Sequence, residues 1–249
     1  MARNKPKITR PQRGKQQQPQ RPQRSRYSNA EAESTARVVN LTPKNDNQGR
    51  MIKAMRSSSQ VIVTGYAGTG KTYLAATEAA NLYLQRKIKR IVVLRPAVAV
   101  GKDPGALPGD LAEKNAPWAA PVIDVLIEQL GNGVVESGLK NGNILAQPIA
   151  TARGKTLANA FIIIDEAQNL TIEELKLLTT RVGEGSRLVI NGDIKQTDLR
   201  GKTHSGLAKC VQMATKYNMG IPIIDFGIDD IVRSDICKQW IIAFDAEGL

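Results

Sequence analysis

VIVTGYAGTGKTYLAA, Val61–Ala76, is the stretch on which the reading of the whole chain turns. Strand-forming residues Val61–Thr64 run into a loop carrying Gly65, Gly68 and Gly70, and the loop runs into Lys71, Thr72 and a helical pattern. The spacing Gly65-x4-Gly70-Lys71-Thr72 is that of a phosphate loop. Its glycines free backbone N–H groups to wrap an anion, and the helix start adds the positive end of a dipole. Gly65, Tyr66, Ala67, Gly68, Thr69 and Gly70 are thus the expected cradle of a nucleotide's phosphates. Lys71 is expected to reach the β and γ phosphates and Thr72 to hold Mg²⁺. The bland alternative is a glycine turn with nothing bound, and the strand before and helix after count against it.

Outward from this loop the chain alternates strand and helix patterns. Thr72–Arg86 reads as a helix, Ile91–Leu94 as a strand, Gly101–Trp118 as a Gly/Pro loop, and Pro121–Leu130 as a helix. Ile144–Ala150 and Phe161–Asp165 read as strands, the latter a continuous apolar run typical of a parallel sheet covered on both faces. Thr171 with Glu174 three residues on opens a helix with a capping box. Strand Arg187–Gly192, helix Ser205–Tyr217, strand Ile221–Phe226 and helix Val232–Phe244 follow. Such alternation predicts a doubly wound α/β fold with a mostly parallel sheet and helices on both faces. Sheets of that kind bind ligands at the carboxyl ends of their strands, and each motif here falls at such an end.

Composition bounds the rest. The net charge of the 249 residues is +12, and nine Lys or Arg with no acid lie within residues 1–30. That segment is rich in Gln and Pro and poor in apolar residues, so residues 1–36 are expected to be a disordered basic tail and 37–249 a single domain. The tail suits sequence-independent contact with nucleic-acid phosphates, or simple solvation. No apolar run is long enough for a membrane span. Cys210 and Cys237 lack metal spacing and are expected to be small buried residues of a cytoplasmic protein. The lone His204 and both Trp118 and Trp240 carry no catalytic pattern; the tryptophans are expected in core or interface.

Two further strand ends carry chemistry. Asp165 closes an apolar strand, which would set a carboxylate near the Mg²⁺ held by Thr72. Glu166 beside it can orient or deprotonate an attacking water. Asn191-Gly192-Asp193-Ile194-Lys195-Gln196 follows the next strand, and Gln196 is either a γ-phosphate sensor or part of a plain Asn-Gly turn. Gln48 lies upstream, and its amide can match the N6/N7 edge of adenine.

The runs RPAVAVG…GALPGDLAEKNAPW, ARGKTLANAFIIIDEAQNLT and NGDIKQTDLRGKTHSGL resemble the PhoH family of P-loop ATPases across residues 40–245. The order Gln, phosphate loop, Asp-Glu-Ala-Gln, Gly-Asp-x-x-Gln is also similar to the first motor domain of superfamily 1 helicases. The resemblance implies a RecA-like core, ATP and Mg²⁺ as cofactors, RNA or single-stranded DNA as a partner, and homo-oligomers, a hexameric ring among them. It supports Gly65–Thr72 for phosphate and metal, Asp165 and Glu166 for metal and water, Gln196 for sensing and Gln48 for adenine. A second helicase lobe supplies an arginine across the nucleotide, and here Arg233, Arg153 and Arg95 are candidates, Arg233 from a neighbouring subunit. The plain alternative for Arg233 is an ion pair with Asp229, Asp230 or Asp235. Three functions stay open at this stage: an ATPase coupled to nucleic acid, a nucleotide-gated nucleic-acid-binding module, and a small-molecule kinase. The Asp-Glu pair disfavours the last, because it selects water as acceptor.

Overall fold

A computed structural model describes residues 37–96, 111–152, 154, 156–196 and 205–247. The predicted 1–36 tail, His204 and Arg153 lie outside these residues. The described residues fall in one compact unit, Ser34–Leu249.

Six strands form one sheet, every pairing parallel. They are β1 (Gln60–Gly65), β2 (Arg90–Arg95), β3 (Ile144–Pro148), β4 (Ala160–Ile164), β5 (Arg187–Asn191) and β6 (Ile223–Phe226). Their order is β3-β2-β4-β5-β1-β6. The apolar runs make physical sense in this position. Along β4, Phe161 and Ile163 enter one hydrophobic cluster, while Ile162 and Ile164 enter the cluster on the opposite face. Ile91 and Val93 of β2 divide from Val92 and Leu94 in the same way. A strand apolar at every residue is what a sheet covered on both faces requires. Each such buried side chain contributes about 1.5–3 kcal/mol.

The first cluster packs helices α1 (Asp46–Ser57), α2 (Lys71–Leu84), α3 (Leu111–Leu130) and α4 (Asn132–Asn141). The second packs α5 (Ile172–Thr179) and α6 (Gly206–Lys216). The predicted capping box on α5 is present: Thr171 Oγ1 accepts from Glu174 N at 3.3 Å, and Glu174 Oε2 accepts from Thr171 N at 2.9 Å. The last helix, α7 (Asp235–Ala246), buries none of its residues.

Several elements differ from the sequence reading. α3 starts at Leu111, inside the stretch read as a Gly/Pro loop, and runs through Pro117 and Pro121. α1 carries an unforeseen start signal, the Asn45 side chain accepting from Gln48 N at 2.8 Å. Cys210 and Cys237 are half-buried on helix flanks, not buried, and burial raises the Cys210 thiol pKa. Trp240 is no core residue; it is 59% exposed and stacks on Phe244 with ring centroids 5.6 Å apart.

Strand order positions the site. The loop strand β1 and the carboxylate strand β4 are not neighbours, because β5 lies between them. The carboxyl ends of three adjacent strands therefore deliver Gly65, Asn191 and, one residue past β4, Asp165 side by side.

Candidate functional site

These three strand ends border a cleft of about 360 Å³. Gly65, Gly68 and Gly70 all have positive φ, from +80° to +116°, which only glycine adopts at low cost. At Gly65 no other residue fits, because a Cβ would lie 2.0 Å from the Phe226 carbonyl oxygen. The loop so formed leads straight into α2, whose N-cap is Gly70.

Lys71 Nζ donates to the Gly65 and Tyr66 carbonyls at 2.6 Å each and to Thr69 Oγ1 at 3.3 Å. The ammonium is thus held inside the loop's own curve. Burial lowers its pKa, and the carboxylates of Asp193, Glu166 and Asp165 oppose that shift.

Thr72 Oγ1 donates to Asp165 Oδ1 at 2.9 Å, so the two residues expected to share a metal touch. Burial raises the Asp165 pKa against the pull of Arg95, whose Nε is 3.6 Å from Oδ2. A hydroxyl and a carboxylate suit Mg²⁺, which takes one or two protein oxygens and completes its shell with phosphates and water. Among the described residues no cluster of three or more His, Cys, Asp or Glu side chains forms a metal site without such help.

Glu166 sits at φ +55°, in the left-handed region that few non-glycine residues occupy. Its side chain is partly exposed, and both carboxylate oxygens have partners. Arg95 Nη2 donates to Oε1 at 3.1 Å and Gln168 Nε2 donates to Oε2 at 2.7 Å. Gln168 Oε1 in turn accepts from Asp193 N at 3.0 Å. The buried Gln168 side chain therefore bridges the acid after β4 to the turn after β5. Sequence reasoning gave it no role, although it stands in the Asp-Glu-Ala-Gln run.

Asn191 and Asp193 were also missed as individuals. Asn191 is 1% exposed, yet neither Oδ1 nor Nδ2 has a hydrogen-bond partner among the described residues, and Asp193 Oδ2 is likewise buried without one there. Both residues line the cleft. Buried polar atoms are almost always satisfied, so three such orphans on two residues that line the cleft single out this wall as a place for a polar ligand. Gln196 also lines the cleft, with its side chain exposed.

The arginines take unexpected places. Arg95 stands at the end of β2 and clamps the Asp165–Glu166 pair of its own chain. Arg233 also lines its own chain's cleft, its side chain lying against Gly68 so closely that a Cβ there would meet Cδ at 2.8 Å. No ion pair of Arg233 exists among the described residues. Asp229 pairs instead with Lys238 at 3.5 Å, and Asp230 Oδ2 accepts from Gly227 N and Asn47 Nδ2.

Gln48 is buried beneath the loop. Its Nε2 donates to Thr69 O at 3.0 Å and its Oε1 accepts from Lys44 N at 2.9 Å. An amide offers two donors and two acceptor lone pairs, so one of each remains. A second cavity, of about 340 Å³, meets Gln48, Tyr73, Leu41 and Val232 and shares Gly70 and Tyr73 with the first. On the loop's outer side Tyr66 is tied to α7: Lys195 Nζ donates to Tyr66 Oη, lies 4.7 Å from the ring centroid and pairs with Asp245 at 3.0 Å.

Parallel strand order, glycine loop and the acid pair one strand away define an α/β P-loop NTPase of the RecA-like kind. The family model described as PhoH-like protein matches residues 40–245, and the chain belongs to the PhoH family. It is 39% identical over 206 residues to Protein PhoH of Escherichia coli (strain K12), covering 82% of this chain and 58% of the relative. It is 38% identical over 218 residues to a PhoH-like protein of Bacillus subtilis (strain 168), covering 88% and 68%. The chain thus spans little more than half the length of the Escherichia coli relative. Among solved structures, the Pif1 helicase from Candida albicans overlaps 75% of this chain and 40% of its own, at 17% identity and TM-score 0.37.

Proposed function

We propose that this chain is a Mg²⁺-dependent ATPase whose turnover is coupled to RNA or single-stranded DNA, working in the cytoplasm as a homo-oligomer. The observation that carries the proposal is the convergence on one cleft of a phosphate loop, the touching Thr72–Asp165 pair and a separately held Glu166.

Each residue then has a physical task. The positive-φ loop turns N–H groups toward the β-phosphate, and Lys71 exchanges its carbonyl partners for phosphate oxygens. Thr72 and Asp165 would hold Mg²⁺, which supplies charge neutralisation on the phosphates when bound. Glu166 orients water and accepts its proton once Arg95 leaves it for the incoming phosphate charge. Gln168 keeps that carboxylate aimed. Asn191 and Gln196 offer amides to the γ-phosphate, and Arg233, lying over the loop, adds positive charge from the same subunit. The adenine base fits the second cavity, where Tyr73 and Leu41 give an apolar wall and the spare donor and acceptor of Gln48 match N6 and N7.

Assembly is supported by α7. Ile236, Trp240 and Phe244 recur every four residues and are all exposed, a ridge that water solvates poorly. No described helix is long and apolar enough to cross a membrane.

One observation favours the gated-binding reading instead. Both carboxylate oxygens of Glu166 are already engaged, by Arg95 and Gln168, where an attacking water would have to bind. Measuring ATP hydrolysis by the full chain with and without single-stranded RNA and DNA separates the two. A rate that rises with nucleic acid supports the proposal, and bound but unhydrolysed ATP under every condition overturns it.

A further inference from the structure

The amino end of the sheet carries a second concave site, made from segments far apart in sequence. Two adjoining cavities, of about 410 and 380 Å³, share Arg56, Lys87 and Arg187 in their walls. Arg56 comes from the last turn of α1, Lys87 from the turn after α2, and Arg187 from the start of β5. Polar uncharged groups supply much of the remaining wall: Asn40 and Gln85 in one cavity, Ser57, Ser58 and Ser59 in the other.

Both arginines are braced from behind. Arg56 donates through Nε and Nη2 to the buried Glu78 carboxylate at 3.1–3.3 Å, and Arg187 Nη1 donates to the Met55 carbonyl at 2.7 Å. Each keeps further N–H donors with no partner among the described residues. The Lys87 side chain makes no hydrogen bond or ion pair among the described residues and is exposed. Among the described residues Glu78 is the one carboxylate lining either cavity, and Arg56 already neutralises it. Exposed Arg86, Lys89 and Arg90 extend the same positive charge along the turn.

The geometry points to a phosphodiester-binding groove for single-stranded nucleic acid, built by Arg56, Lys87 and Arg187 at the end of the sheet opposite the nucleotide cleft. It rests on the nucleic-acid arm of the proposed function and gives that partner a surface. Three features select a chain of phosphates over a single small anion. The cations come from three separate elements, and exposed Arg86, Lys89 and Arg90, which line neither cavity, carry the positive charge further. The two cavities share Arg56, Lys87 and Arg187 as a common wall, and both are open. The hydroxyl and amide walls offer hydrogen bonds without sequence preference, as backbone contact requires.

The test uses the full chain with an oligouridylate and an oligothymidylate as probes. Lysine acylation is followed by mass spectrometry with probe, with inorganic phosphate, and with neither. The expected result is protection of Lys87 by oligonucleotide and none by phosphate. In parallel, Lys87→Glu is expected to weaken binding about threefold or more at low salt and to lower the salt slope by about 0.7 per lost phosphate contact. Its melting temperature and nucleotide binding should not change, because the Lys87 side chain makes no bond to lose, and Lys87→Arg should restore affinity. Oligonucleotide binding with Lys87 labelled as fast as in the free chain, protection being confined to Lys5, Lys7 and Lys15, overturns the groove and leaves the nucleic-acid reading standing. Equal protection by inorganic phosphate overturns it in favour of a small-anion site. No oligonucleotide binding at all overturns both readings together.

Discussion

The two ends of this sheet handle charge in opposite ways. At the carboxyl end the charges are mostly sheltered, paired and aimed: Lys71 inside its loop, Asp165 against Thr72, Glu166 between Arg95 and Gln168. At the amino end the charges are positive, largely exposed and spread along two cavities. Part of the difference follows from the fold. In a parallel α/β sheet helix N-termini gather at the carboxyl end and C-termini at the amino end, where the dipole favours cations. α1, α4, α5 and α6 each carry a base in the last turn. The dipole does not dictate the concavity, nor the bracing of Arg56 and Arg187. On the proposed reading the carboxyl end serves chemistry on one compact ligand and the amino end binds an extended one.

α1 and α2 touch both ends. α1 places Gln48 under the phosphate loop and Arg56 in the groove, while α2 runs from Lys71 to Glu78 and Asn81. Contact alone is not coupling. If the ends are coupled, nucleotide and oligonucleotide must alter each other's affinity by the same factor.

The comparison can be broken most severely at Gly65. Gly65→Ala sets a Cβ against the β6 backbone at positive φ and is expected to cost about 3 kcal/mol or more, read by denaturant unfolding, with nucleotide binding lost. For Gly68→Ala the three nearest atoms all belong to the movable Arg233 side chain, and about 1–2 kcal/mol is expected, chiefly from φ strain. Equal costs would mean that the loop is not pinned by β6.

Gln168→Ala sharpens the carboxyl-end account. It frees one oxygen of Glu166 and leaves Asp193 N without its acceptor. A fall of about 10- to 100-fold in kcat with KM little changed is expected from steady-state kinetics. A change in KM alone would place Gln168 in binding instead.

At the amino end the contrast is between a braced cation and a free one. Arg56→Ala leaves Glu78 buried without its partner, and about 1–2 kcal/mol of stability is expected to go, the half-exposed arginine limiting the loss. Lys87→Ala should lie within about 0.5 kcal/mol of the parent. Chemical denaturation of the two variants side by side decides the matter.

Much of the carboxyl end was legible in the sequence because its chemistry is written in short runs. Gly65–Thr72, Asp165-Glu166 and the apolar strands before them are local patterns with local physical reasons. What escaped is long-range. Gln168 acquires its role only because β5 lies beside β4, and Arg95 faces the acids only because β2 does too. α1 was hidden by its polar sequence, and the prolines at 117 and 121 disguised the start of α3. The amino-end groove joins residues 56, 87 and 187, which no spacing rule connects.

The measurement that bears most directly on the central claim is a split between binding and turnover in Glu166→Gln, beside Lys71→Ala. Fluorescent ATP-analogue binding and phosphate release are recorded for both variants and the parent chain, with Mg²⁺ and single-stranded RNA present. The account predicts that Glu166→Gln binds as the parent does while releasing phosphate about 10²-fold or more slowly, and that Lys71→Ala loses both. Parent-like phosphate release by Glu166→Gln would contradict it, because the acid that the fold holds so carefully would then have no part in the reaction.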